Sequence, residues 1–159
     1  MLDRLEAVLR ACPDDRWATP CWEVKPTDAW MPKGRSVEEL QVYSAFWATA
    51  AHALFFLDTY LDDGTTGWNP ANPHFDAGLD DRMQALLPDP PIGRDELLAA
   101  LSDGRAKAQR VLPAITAEQA ALRMPDWHPH PGEPFDELVR GNLDHLREHT
   151  DHLEAVVRA

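Results

Sequence analysis

Between Leu40 and Leu61 the chain contains neither proline nor glycine, and from Val42 to Leu57 it is apolar almost all round a helical wheel. The polar interruptions are Ser44, Thr49 and His52, with polar tips on Tyr43 and Trp47. A helix lacking a polar face is buried on more than one side. Such a segment is central to a bundle, or it turns its outer side to a second subunit; both are expected here, which predicts a homodimer through this helix. Ser36-Val37-Glu38-Glu39 reads as the capping box that opens it. Asp62-Asp63-Gly64 reads as its close, with Gly64 suited to the left-handed position after a helix.

Other segments supply the neighbours that such a helix needs. Leu2, Leu5, Val8 and Leu9 recur at helical spacing, and Cys12-Pro13 ends that first amphipathic helix. A third helix is predicted from Arg94 to Leu112, with Leu97, Leu98, Leu101, Ala108 and Val111 as its apolar stripe and Asp95 and Glu96 complementing the dipole of its first turn. Thr116 to Gln119 can start a short turn. The last helix is predicted from Phe135 to Val157, with Val139, Leu143, Leu146, Leu153 and Val157 on one stripe. Residues 13–35, 64–92 and 125–134, rich in Pro, Gly or Trp, read as loops, with one helical turn near Asp80 to Leu86. No repeat and no convincing strand is visible. The expected fold is all-α: one domain over residues 1–159, an antiparallel bundle of four main helices.

Composition narrows the function classes. A net charge of -12 argues against nucleic acid and against anionic membrane surfaces, and fits a solubilising surface. Cys12 and Cys21 form no CxxC and no zinc-finger spacing, so reduced structural thiols are expected. The first residues lack a signal-peptide pattern, and no apolar run approaches the ~20 residues that span a bilayer. A soluble, cytoplasmic protein is expected.

The chemistry is carried by histidine. His145, His149 and His152 fall at i, i+4 and i+7, on one face of the last helix together with Leu138, Asn142 and Val156. Neutral imidazole is a common ligand of late divalent metals, and an i, i+4 pair can grip one ion. One helix face cannot surround an ion, so a third ligand must come from elsewhere. His52, isolated in the most apolar helix, is the best candidate. The competing reading keeps these histidines as hydrogen-bonded core residues. His152 suits a fourth ligand, a partner of a ligand, or a polar residue at the end of the bundle. His74, His128 and His130 lie beside prolines in loops, where solvation is the ordinary state, although His128 or His130 can reach the mouth of a site at that end.

With these residues in view, the sequence resembles the DinB-like superfamily. Ala51-His52-Ala53-Leu54-Phe55-Phe56-Leu57-Asp58-Thr59-Tyr60-Leu61 is similar to the end of that family's second helix. Asn142 to Leu153 resembles its last-helix motif, Asn-x-x-His-x-x-x-His-x-x-Gln, with His152 where many members carry glutamine. Arg94 to Arg105 is similar to its third helix. The resemblance implies a bundle in up-down-down-up order, commonly dimeric, with a divalent metal held by His52, His145 and His149. It implies Zn²⁺ or Ni²⁺ chemistry on water or on a low-molecular-weight thiol, as in relatives that are thiol-dependent transferases or isomerases. The family's name does not imply DNA binding. Two functions follow as expectations: a metal-dependent transferase or hydrolase working under the Trp-rich loops, with no general base assignable, or a non-catalytic dimeric bundle whose histidines hold a structural metal or are core residues.

Overall fold

A computed structural model describes residues 1–25, 27, 35–61, 90–124, 126 and 130–159. The expected turn near residues 80–86, the Gly64 cap, and His74, His128, Trp30, Trp68 and Trp127 lie outside the described residues. Among those described, the secondary structure is helical, with no strand and two isolated bridges, Pro20 with Ala45 and Arg123 with Pro134. None of these helices is long and apolar enough to cross a membrane.

Helix α1 spans Leu2–Ala11 and buries Leu5, Val8 and Leu9. It stops where Pro13 forces Cys12 into the extended region, φ -64° and ψ 123°. The capping box at Ser36 is present: Glu39 N donates to Ser36 Oγ (3.2 Å) and Ser36 N to Glu39 Oε2 (2.8 Å). It opens only α2, the single turn Val37–Leu40, which tightens into a 3₁₀ turn over Gln41–Ser44. The long second helix expected from the sequence is therefore two pieces. Ala45 is extended (φ -55°, ψ 147°), and α3 begins after it, spanning Phe46–Tyr60.

Tertiary contacts make this break. Segment 17–21 passes the start of α3 and bonds to its free backbone groups: Phe46 N donates to Thr19 O (2.9 Å), Trp47 N to Trp17 O (3.2 Å), and Cys21 N to Ser44 O (2.7 Å). The orphan donors of the first helical turn are met by the chain's own loop, with no capping side chain.

Helix α4, Arg94–Val111, buries Leu97, Leu101, Gly104 and Val111, close to the expected stripe. The short α5, Ala117–Ala120, carries a second capping box from Thr116 and Gln119. Helix α6, Phe135–Arg158, buries Phe135, Leu138, Asn142, Leu146, Thr150, Leu153 and Val156. Thr150, unexpected in the core, fills the gap in the Leu146–Leu153 stripe and turns its hydroxyl to Leu146 O (2.7 Å).

Helices α1 and α3 each pack on both α4 and α6. The contacts give the register. His52 on α3 lies opposite His145 on α6, and Phe56, one turn on, opposite Asn142. Leu57 of α3 touches Gly104 of α4, with Lys107 of α4 paired to Asp58. Arg105 of α4 reaches Asp3 and Glu6 of α1, whereas Arg94 reaches Cys12 O and Asp14 beyond the other end of α1. Arg4 of α1 pairs with Asp151 (2.7 Å) and Glu154 (2.9 Å) of α6. These exposed pairs add little stability singly.

Inside this arrangement α3 is enveloped by its own chain. Phe46, Trp47, Ala48, Thr49, Ala50, Ala51, Ala53, Leu54, Leu57 and Thr59 are all buried. Phe55 and Phe56 are only half-buried and Val42, ahead of α3, is exposed, so part of the apolar surface of this segment stays open.

Gly104 marks the closest approach of α3 and α4. A Cβ there would lie 3.3 Å from Leu57 Cδ2. A branched side chain would have to displace Leu57, and overpacking of this kind costs about 1–3 kcal/mol. Gly104→Val is therefore expected to lower the free energy of unfolding by about that amount in urea denaturation. An unchanged midpoint would show that the interface yields freely.

Candidate metal centre

Helix α6 places His145 and His149 one turn apart on the side facing α3, and α3 places His52 opposite them. The three rings converge through the same atom type. His52 Nε2 is 3.2 Å from His145 Nε2, and His149 Nε2 is 2.9 Å from His145 Nε2. One donor nitrogen from each of the three lies within 4.8 Å of the others. The structure thus brings together the three residues expected as ligands. His152 stays outside this group, its ring centroid 6.1 Å from that of His149. His130 sits apart on the loop before α6, half exposed, with Nδ1 3.1 Å from Glu133.

Ordinary hydrogen bonding accounts poorly for this convergence. An imidazole Nε2 has one in-plane position, either an N–H or a lone pair. His145 Nε2 meets two other Nε2 atoms and can serve one of them well. The remaining contact is at best a weaker share of a three-centre bond. A shared cation resolves it. Zn–N bonds of ~2.0–2.1 Å at tetrahedral angles separate the nitrogens by about 3.3 Å. The observed 2.9 and 3.2 Å are close to that spacing, so the donor set fits a divalent ion.

The surroundings keep the imidazoles neutral. Burial pushes His52 down to about 3, with the neighbouring His145 adding to the effect. Burial, then the three other histidines, lowers His149 to about 2. His145 is also lowered by burial, and Glu148 opposes this. Neutral imidazole is the form that binds metal. Phe56 packs edge-on against two of the rings, its centroid 4.8 Å from His52 and 5.5 Å from His145. Sequence reading passed over this residue, although its place four residues after His52 was a usable signal.

One member of the cluster also meets the surface. An open depression of about 510 Å³ is lined by Gly141, Asp144, His145, Arg147, Glu148, Asp151 and His152, all of α6. His145 thus belongs both to the cluster and to the surface. Asp144, Arg147 and Asp151 put charge around this depression.

Of the tryptophans expected to cover the site, Trp17 and Trp22 are described. Trp17 stacks at a tilt on Phe46 (5.3 Å) and donates from Nε1 to Ile92 O (2.8 Å), while Trp22 Nε1 donates to Thr49 Oγ1 (3.2 Å). Both brace the start of α3, before His52. Cys12 and Cys21 are free thiols, as expected, and burial raises both, Cys21 to about 11.

Comparison with known protein families, with curated proteins and with solved structures returns no match to this chain.

The depressed histidines have a thermodynamic consequence. A histidine in the unfolded chain takes up a proton near pH 6.5, whereas His52 and His149 in the folded, metal-free protein stay neutral down to about 3 and about 2. Over that interval the unfolded state binds more protons, so stability rises with pH. The contribution is complete above pH 6.5 and is lost progressively as the pH falls toward 3. Asp3 and Glu154, lowered by hydrogen bonds from Arg105 and Arg4, add to this only below their ordinary carboxyl range. The melting temperature of the metal-free protein should therefore fall between pH 6.5 and 5, and His149→Leu should flatten that slope. Parallel profiles would contradict the assignment.

Proposed function

We propose that this chain is a DinB-like metal-dependent enzyme, holding one Zn²⁺ or Ni²⁺ through His52, His145 and His149 and acting as a transferase or hydrolase. The observation that carries this reading is that three histidines from two helices offer ligand nitrogens within 4.8 Å of one another. The contact register supports the family's architecture. His52 against His145 with Phe56 against Asn142 means that α3 and α6 run in opposite directions. Phe46 and Ile92 both at Trp17, with Leu57 at Gly104, means that α3 and α4 run in the same direction. Cys12 near Arg94, with Asp3 near Arg105, opposes α1 to α4. The order is up-down-down-up in an antiparallel four-helix bundle.

Three protein ligands are the usual complement of a catalytic zinc site, with a further position left for water or substrate. A divalent ion there supplies Lewis acidity, acidifying a water molecule or a low-molecular-weight thiol so that it becomes a nucleophile near neutral pH. The chain's own part is to hold the imidazoles desolvated and correctly turned. Phe56 excludes water from the inner side. His145 offers the outer edge to the depression, where Asp144, Glu148 and Asp151 can orient a substrate or accept a proton.

Elemental mass spectrometry of untagged protein is expected to find about one divalent metal per chain, and His149→Ala should lose it. A Co²⁺-loaded sample should change its visible spectrum when a thiol substrate is added. Metal in neither protein, with melting unmoved by Zn²⁺ or Ni²⁺, would reduce the cluster to core histidines. Metal without any response to thiols would leave the hydrolase reading.

A further inference from the structure

Asn142 is a buried polar side chain between α3 and α6 that the histidine cluster does not use. It is 5% exposed. Its Nδ2 donates to the backbone carbonyl of Phe56 (3.3 Å), while its Oδ1 is buried without a partner. The opposite amide orientation would set oxygen against oxygen, so the Phe56 carbonyl fixes which way the group points. An apolar residue of similar size would fill this place with no orphaned acceptor, so the amide needs a reason.

The geometry points to Asn142 as a positioning residue for His52, a role that rests on the metal-centre reading above. His145 and His149 hold their separation through the helical repeat of α6 alone. His52 comes from α3, and its place depends on how far α3 has slid along α6. A slip of one residue moves it about 1.5 Å, whereas ligand distances tolerate about 0.2 Å. The Asn142–Phe56 bond sits one turn from His52 along α3 and one turn from His145 along α6. It joins the two helices through a backbone atom, so it reports position along the axis as apolar packing cannot. A buried amide that selects one helix register has this property generally. Phe56 extends the effect, because the residue whose carbonyl is held is also the one whose ring meets His52 and His145.

The test is a double-mutant cycle read by Zn²⁺ affinity, using competition with a chromophoric chelator. Asn142→Leu in the otherwise native chain is expected to weaken Zn²⁺ binding by about 10- to 100-fold, the usual loss when an orienting partner of a ligand is removed. Its melting temperature in the metal-free form should be unchanged or higher. In a His52→Ala background, where only the α6 pair remains, the same substitution should have no further effect. Leu138→Ala, one turn away on the same face, serves as the control for loss of packing and should leave affinity within about twofold of native. Asn142→Ala, which removes the amide without adding bulk, gives the same readout if the leucine variant does not fold. Native affinity in both Asn142 variants would overturn the proposal while leaving the metal centre intact. So would equal losses in the two backgrounds. No Zn²⁺ binding by the native chain would remove the metal reading and this role together.

Discussion

The contact between α3 and α6 is the interaction on which the rest of this molecule depends. It buries the most apolar segment of the chain and brings the histidines of two distant segments together. The other long helices complete its enclosure, α1 and α4 each packing beside the pair. Two kinds of geometry meet there. The spacing of His145 and His149 is local and belongs to any helix. The position of His52 is tertiary and exists only when the two helices are docked in one register.

Desolvation shapes the chemistry of that contact. Imidazoles in water divide between neutral and cationic forms near pH 6.5, yet three packed at about 3 Å cannot share positive charge in an apolar interior. Burial keeps them neutral, the state in which they could accept a cation among them. The strong acidity of the chain, -12 overall, touches the inner cluster only through Glu148, which opposes the effect of burial on His145. It appears outside, where Asp144, Glu148 and Asp151 border the depression. The same helix carries neutral imidazoles on one face and carboxylates on the next.

Much of this could be read from the sequence, and the limits have physical causes. The bounds of α1, α4 and α6 follow from amphipathic spacing, from Pro13 and from acidic first turns, all of which act within a few residues. His52 was legible because a polar residue in an apolar segment needs a partner, and His145 and His149 because their i, i+4 spacing sets them on one helix face. Thr150 was overlooked because its type suggests surface, although its position four after Leu146 and three before Leu153 marked it as core. The break at Ala45 had no local signal. Neither proline nor glycine stands near it, and the bonds that make it come from Trp17 and Thr19. The Asn142–Phe56 link was hidden for the same reason, since a backbone carbonyl has no letter in a sequence.

The break at Ala45 also sets an order of assembly. A helix with its own capping side chain can begin to form while the rest of the chain is still loose. Here the first amides of α3 find acceptors only once residues 17–21 have crossed over them, which closes a loop of more than two dozen residues. Protection of the Phe46 and Trp47 amides against hydrogen exchange is consequently a property of the N-terminal segment as much as of the helix that contains them. A disturbance at Trp17, far from any histidine in sequence, travels along α3 toward His52 as fraying from its first turn.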